Sequence, residues 1–148
     1  MIGIVLILCG CASGLSDYDY PVGNNYILVR SSSHEIKVIP NTGYMYEKEI
    51  LPSKVVEIAW NERYVIAKQY GMKIRGSNSP DNTYEEPDKS KVYYWILDTS
   101  LNEKETDLDG YEYRGIRYGP YDYEEFQKEL KSLGLTKLKL KPVEKYRK

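Results

Sequence analysis

Cysteine is nearly absent from this chain of 148 residues, and both copies, Cys9 and Cys11, lie at its N-terminal end. A domain that begins after them has no disulfide, no zinc–thiolate site and no cysteine nucleophile. The chain also has a single histidine and a single phenylalanine. We therefore expect the folded domain to be stabilised by packing alone.

A long hydrophobic run is missing as well. Residues 2–8 are apolar, which is far short of the roughly 20 residues that a membrane-spanning helix needs but matches the core of a short signal peptide. The run ends in Leu8-Cys9-Gly10-Cys11, which resembles the lipobox of bacterial lipoproteins. We predict that residues 1–10 are a lipoprotein signal peptide and that Cys11 is the lipidated residue.

Two features oppose this prediction. No lysine or arginine precedes the apolar run, although signal peptides normally have a basic start. Cys9, two positions before the lipidation site, is also unusual. The alternative is that residues 2–8 form a buried N-terminal strand.

Neither sign of charge is in excess, since 21 lysines and arginines balance 22 acids for a net charge of −1. Such a chain lacks the basic surface that nucleic-acid phosphates require, and we predict no nucleic-acid partner. The sequence has no Gly-x-Ser-x-Gly element, and we predict no catalytic residue, cofactor or metal site. His34 follows three serines, and we interpret it as a turn residue rather than part of a Ser–His pair.

Tyrosine is abundant, with 16 copies. The ring suits a half-buried strand with its hydroxyl in water, and the alternative is an aromatic platform for a glycan or a peptide. β-rich runs at residues 26–30 and 36–39 predict one hairpin, and runs at residues 54–60 and 63–70 predict a central hairpin. Val56, Ile58 and Trp60 are predicted to share one face. Residues 91–98 predict a further central strand and residues 110–118 an edge strand.

Residues 71–91 show no periodicity and include turn-forming residues, so we predict a long loop that is either mobile or functional. Within it, Tyr84, Glu85 and Glu86 are the candidate partner-binding residues, because an aromatic ring stands among carboxylates. A calcium site is not favoured, because the spacing is not that of an EF-hand loop.

One helix is predicted near the C-terminus. Asp122 and Glu125 resemble a capping box, Phe126, Leu130 and Leu133 recur at helical spacing, and Gly134 suits a C-terminal cap. Residues 136–141 alternate lysine with leucine. They predict either a lysine-guarded edge strand or a basic extension attracted to anionic lipid headgroups.

The expected fold is therefore mostly β with one C-terminal helix (α+β), an antiparallel meander of about five to seven strands, with a small β-sandwich or barrel as the alternative. The predicted organisation is a signal peptide (1–10), a lipidated tether (11–25), one globular domain (26–135) and a basic tail (136–148).

The chain resembles a family of small bacterial lipoproteins with a domain of unknown function. The resemblance rests on Cys11 with residues 14–18, and on residues 54–60, 66–71, 87–89, 94–98, 118–120 and 124–126. It extends to about Leu135, and the lysine-rich tail and uncharged start depart from the pattern. It implies a lipid-anchored protein outside the cytoplasm, and it supplies no activity or catalytic residue.

The first functional hypothesis is a non-enzymatic domain, held by lipid on a bacterial cell membrane or outer membrane, that binds an envelope protein or peptide. The second is an envelope hydrolase with paired carboxylates from residues 84–88 or 107–112, which would have to lie roughly 5 to 10 Å apart. The third is an inhibitor or immunity-type protein.

Overall fold

A computed structural model describes residues 18–41, 47–76, 83–100 and 115–146. It contains eight strands, one α-helix and two short 3-10 helices within those residues. The strands are β1 (Tyr18–Val22), β2 (Tyr26–Arg30), β3 (Ile36–Pro40), β4 (Val55–Trp60), β5 (Tyr64–Gly76), β6 (Thr83–Asp98), β7 (Ile116–Tyr121) and β8 (Lys141–Pro142). Helix α1 is Tyr123–Ser132, and the 3-10 helices are Glu47–Glu49 and Val143–Tyr146.

The strands form two antiparallel sheets. The small sheet has the order β1-β2-β3, and the large sheet has the order β7-β6-β5-β4-β8. The predicted class, mostly β with one helix near the C-terminus, is confirmed. The arrangement differs from a single meander because the first three strands form a separate sheet.

Strand β1 lies in the segment that was predicted to be a tether. It pairs with β2 from Tyr18↔Arg30 to Val22↔Tyr26, and Val22 is buried. Its apolar residues occur at every second position, which is the period of a strand. Pro21 is compatible with this because β1 is an edge strand, where one side of the backbone needs no donor.

The two predicted hairpins are both present. β2 and β3 pair from Tyr26↔Pro40 to Arg30↔Ile36. β4 and β5 are joined by a turn in which the Asn61 side-chain oxygen accepts hydrogen bonds from the backbone nitrogens of Arg63 at 2.9 Å and Tyr64 at 2.7 Å.

The predicted alternation along β4 is wrong at its start. A bulge between Val55 and Glu57 shifts the register, and Val55 and Ile58 are both buried in the same cluster. A bulge adds a residue to one strand and so reverses the faces of the residues that precede it.

The predicted loop at residues 71–91 is also wrong for the residues described. β5 continues to Gly76, and β6 begins at Thr83 and pairs with it from Gly76↔Thr83 onwards. We call residues 71–76 and 83–92 the arm. The alternating sequence Met72-Lys73-Ile74-Arg75 is a strand pattern, and pairing with β6 satisfies the backbone groups that face β6.

Helix α1 has the predicted N-terminus, with Asp122 as N-cap and a complete capping box with Glu125. Phe126 and Leu130 are buried as predicted, but Leu133 is 39% exposed. Leu133 is the C-cap, where the chain leaves the helix, and Gly134 follows with a φ of 68°. Leu135 is buried after this reversal, in the place predicted for Leu133.

The domain extends beyond residue 135, where it was predicted to end. β8 pairs with Glu57 and Ile58 of β4. Val143 in the following 3-10 helix is only 1% exposed. The edge-strand prediction for the lysine–leucine segment therefore applies to a pair of residues, Lys141 and Pro142, and the remainder packs without strand pairing.

Two clusters of buried side chains lie on the two faces of the large sheet. The first fills the space between the sheets and includes Val22, Leu28, Val38, Ile58, Val65 and Leu97. The second lies under α1 and consists of Ala59, Ile66, Ile96, Phe126, Leu130 and Leu135. The molecule is thus layered as small sheet, large sheet and helix, as expected for elements with one apolar face.

A buried polar contact joins the central strands. The Trp95 indole N–H donates to Gln69 Oε1 at 2.6 Å, and Gln69 Nε2 donates to the Ser53 carbonyl at 2.6 Å. Gln69 is 5% exposed and Trp95 is 6% exposed. Burial of these groups is tolerated because each has a partner.

We predict that Gln69→Met lowers the free energy of unfolding by about 2–4 kcal/mol, because the Trp95 N–H and the Ser53 carbonyl lose their partner while the volume is nearly unchanged. The matched control is Gln127→Met on the exposed side of α1, which should change stability by less than about 0.5 kcal/mol. Urea denaturation measures both. Equal stability of the two variants would show that the Gln69 hydrogen bonds are unimportant.

Candidate functional site

The predicted partner-binding residues lie on the arm rather than in a loop. Tyr84, Glu85 and Glu86 are successive residues of β6, opposite Arg75, Ile74 and Lys73 respectively. Because side chains alternate along a strand, Glu85 lies on one face of the arm while Tyr84 and Glu86 lie on the other. Cys11, the predicted lipidation site, lies outside the described residues.

One face of the arm has an ionic network. Glu86 Oε1 lies 2.5 Å from Arg75 Nε and 3.5 Å from Lys73 Nζ. The hydrogen bond from Arg75, followed by the nearby positive charges, holds the pKa of Glu86 below its ordinary value. The exposed pair orders the side chains on this face and adds little to stability.

Both faces of the arm present an exposed apolar side chain. Ile74 is 72% exposed and Tyr84 is 57% exposed. They occupy neighbouring cross-strand pairs, Ile74↔Glu85 and Arg75↔Tyr84. A large apolar side chain on an ordered strand is common at protein interfaces, where aromatic residues are enriched.

His34 contacts the outer part of the arm. Its ring nitrogen Nδ1 lies 3.2 Å from the Glu85 carbonyl oxygen, so the connection between β2 and β3 contacts β6. The serine that caps this connection is Ser32, whose hydroxyl accepts a hydrogen bond from the Glu35 nitrogen at 3.0 Å. The structure thus places His34 in a turn, as predicted, and brings it against the arm.

The carboxylates proposed for hydrolysis are divided between the two faces of the arm. Glu85 lies on one face, and strand alternation places Glu86 and Asp88 on the other. Glu86 is engaged by Arg75. Asp88 accepts hydrogen bonds from the Ser90 nitrogen at 3.1 Å and its hydroxyl at 2.6 Å, which lower the pKa of Asp88. The second candidate group, residues 107–112, lies outside the described residues.

A second candidate surface lies at the other end of the large sheet. Trp60, at the end of β4, packs against Tyr20 of β1 at 5.6 Å between ring centroids and against Tyr146 at 4.7 Å. Tyr20 and Tyr146 are also in contact, at 5.5 Å. Burial is the main cause that raises the pKa of Tyr146 above its ordinary value.

Three lysines complete this surface. Lys137, Lys139 and Lys141 line a cavity of about 490 Å³ together with Ala59, Trp60, Leu138 and Tyr146. We call these seven residues the basic groove. All three lysines are exposed, and no carboxylate forms an ion pair with them among the residues that the structure describes.

This groove was not predicted from the sequence. Trp60, which was predicted only to share a face with Val56 and Ile58, is partly buried and lines the cavity. The alternation of lysine with leucine was visible, but what it faces depends on how the chain returns after α1. Leu138 and Leu140 pack against the helix-side cluster, which leaves the intervening lysines towards solvent.

The charged pair nearest to this end of the sheet is structural. Asp98 is buried, and its carboxylate is bound by Arg63 at 2.8 Å and by Ser100. Burial alone would raise its pKa, but the hydrogen bonds and the Arg63 charge together hold the pKa of Asp98 below the ordinary value. Both carboxylate oxygens of Asp98 therefore accept hydrogen bonds at the end of β6, from Arg63 and from Ser100, which follows the strand.

In the described ranges, no group of three or more histidine, cysteine or acidic side chains is placed to hold a metal ion. Among the same residues, no helix has the length and apolar character to cross a bilayer. The arm and the basic groove are therefore considered as binding surfaces.

Comparison with known sequences gives a family and no activity. The model of a family described as "Protein of unknown function (DUF3997)" matches residues 23–144. No curated protein and no solved structure matches the chain. The match begins within the predicted tether and continues into the predicted tail, in agreement with the span of the folded elements.

Proposed function

Since the chain belongs to the DUF3997 family, whose function is unknown, its role has to be inferred from its own residues, and we propose that it is a lipid-anchored protein of the bacterial envelope that binds a protein partner without catalysis. The anchor is supported by the lipobox-like sequence that ends at Cys11. The binding role is supported by the arm.

The main support for the binding role is the exposure of Ile74 and Tyr84 on the arm, where β5 and β6 pair with each other beyond the core. A pair of strands outside the core has few packing contacts of its own. Each exposed apolar side chain also has an unfavourable free energy of hydration, which burial against a partner would remove. The charged residues of the arm keep its surface hydrated when no partner is bound. They also favour one orientation of a bound partner.

The strand edges of the arm provide a second binding feature. β4 pairs with β5 only as far as Gln69, with a further backbone contact between Lys54 and Tyr70. β7 pairs with β6 only from Tyr94 onwards. Within the described ranges no strand lies beside the arm beyond these points, and such edges can accept an extended segment of a partner.

The anchor predicts a defined modification. Expressed in a bacterium with a lipoprotein pathway, the chain should lose residues 1–10 and carry a diacylglycerol thioether on Cys11, because a thiol at the new N-terminus is the attachment point. Mass spectrometry of the N-terminal peptide measures this. Cys11→Ala should abolish the modification and processing, whereas Cys9→Ala should preserve both, and equal membrane recovery of the two variants would exclude the anchor.

The arm predicts a local binding surface. Ile74→Ser together with Tyr84→Ser should reduce capture of an envelope partner at least about tenfold, because loss of a central apolar contact typically costs more than 1 kcal/mol. Stability should change by less than about 0.5 kcal/mol, since both side chains are exposed. In-cell crosslinking from a photoreactive residue at position 74 identifies the partner.

The matched control replaces Tyr123 and Leu133, which are also exposed but belong to α1 and its C-cap rather than to the arm, with serine. This pair should retain capture. Capture that persists when the arm residues are replaced, or that falls equally in the control, would contradict binding through the arm. A captured enzyme whose activity falls on binding would assign the inhibitor or immunity-type role.

A further inference from the structure

We propose that the basic groove docks the domain on an anionic phospholipid bilayer, with its lysines on lipid phosphates and the Trp60 and Tyr146 rings at the level of the headgroups. The inference rests on the proposed function, because it assigns the membrane as a second binding partner of the anchored domain. It concerns a surface of the folded domain and is separate from the lipid on Cys11.

The charges of this region are complementary to such a membrane. Four lysines and one glutamate, Glu144, occur between Thr136 and Tyr146, and all five are exposed. Lysines near an anionic bilayer each contribute about 1 kcal/mol of attraction. The net charge of the whole chain is −1, so the attraction depends on this local concentration of lysines rather than on overall charge.

The spacing favours a surface over a single small anion. Lys137 lies in the turn closed by the hydrogen bond from the Leu138 nitrogen to the Leu135 carbonyl, and Lys139 and Lys141 follow at alternate positions. Their Cα atoms span at most about 13 Å. Three ammonium groups distributed along such a segment can pair with different phosphates of a bilayer, and the open cavity of about 490 Å³ beside the lysines gives a headgroup room to enter.

The rings of the groove have the amphipathic character of residues at membrane interfaces. Trp60 and Tyr146 are partly exposed, and tryptophan and tyrosine are enriched where an apolar body meets a hydrated headgroup layer. Leu138 adds an apolar contact within the same cavity. The groove therefore combines cationic and interfacial aromatic side chains on one surface.

The proposed anchor keeps this surface near the membrane. Tyr20 contacts both Trp60 and Tyr146, and the ten residues from Cys11 to Tyr20 span nine steps, which extend over at most about 32 Å. A single lipid modification is strengthened by a nearby basic patch. Ile74 of the arm lies nine residues along β5 from Val65, the partner of Trp60, which corresponds to about 30 Å along a strand, so docking leaves the arm accessible.

The test uses the full chain with Cys11→Ala, so that no lipid is attached, and vesicles of phosphatidylcholine with increasing fractions of phosphatidylglycerol. Binding should increase steeply with the anionic fraction and decrease with salt, because the attraction is screened. Replacing Lys137, Lys139 and Lys141 with glutamine should lower binding to the anionic vesicles about 100-fold. Binding to pure phosphatidylcholine, which reports any contribution of the apolar N-terminus, should not change.

The matched control replaces three exposed lysines elsewhere, Lys89, Lys128 and Lys131, and should retain most of the binding. Lipids brominated near the headgroup should quench Trp60, and Trp60→Phe should remove that quenching. Equal losses in the two triple variants, or anionic binding unchanged in the groove variant, would overturn the proposal. So would binding of heparin or glycerol phosphate at the groove without any binding to vesicles.

The two proposals fail separately. If Cys11 carries no lipid but the vesicle result holds, the anchor is lost and the groove remains a membrane-binding surface. If Cys11 is lipidated and the groove variant binds vesicles like the wild type, the anchor stands and the docking inference is wrong.

Discussion

The backbone pairing of β5 with β6 is the constraint on which the rest of the structure depends. It runs from Tyr64↔Asp98 to Gly76↔Thr83 with one irregularity between Tyr70 and Gly71. On one side of that irregularity, both faces of the strands are covered, by the small sheet and by α1. On the other side, the same two strands continue as the arm, so core and projection are parts of one hydrogen-bonded ladder.

This arrangement separates the two candidate surfaces along the large sheet. The arm extends from one end of β5, and the basic groove lies beside the turn at the other end, next to Trp60. The buried contact between Gln69 and Trp95 lies between them, close to where the ladder leaves the core. A domain built in this way has two separate surfaces, because the covered centre of the sheet lies between them.

The sequence was informative where short-range chemistry determines the structure. Three predicted features depend on neighbours in sequence. They are the capping box at Asp122, the turn at Asn61 and the strand at residues 64–70. The bulge at Val55 was not predicted, because it depends on the register with β5. The arm was missed because Pro87 and the surrounding polar residues outweighed the alternation of residues 72–75.

The candidate surfaces were harder to predict than the elements. Tyr84 was identified as exposed, but in a loop rather than on a strand, and its relation to Ile74 follows only from pairing. The groove combines β4 with the C-terminal segment, which are far apart in sequence. Alternation of lysine with leucine indicates two faces, but Leu138 and Leu140 reveal which face is buried only once the position of α1 is known.

The central claim is that residues 71–76 and 83–92 form an ordered pair of strands able to present Ile74 and Tyr84. Amide hydrogen exchange measured residue by residue tests it most directly. The account predicts that the inward-facing amides of the arm exchange at least about tenfold more slowly than in an unstructured chain, although faster than those of Val65 to Ala67 in the core. Exchange of the arm amides at the unprotected rate would contradict it.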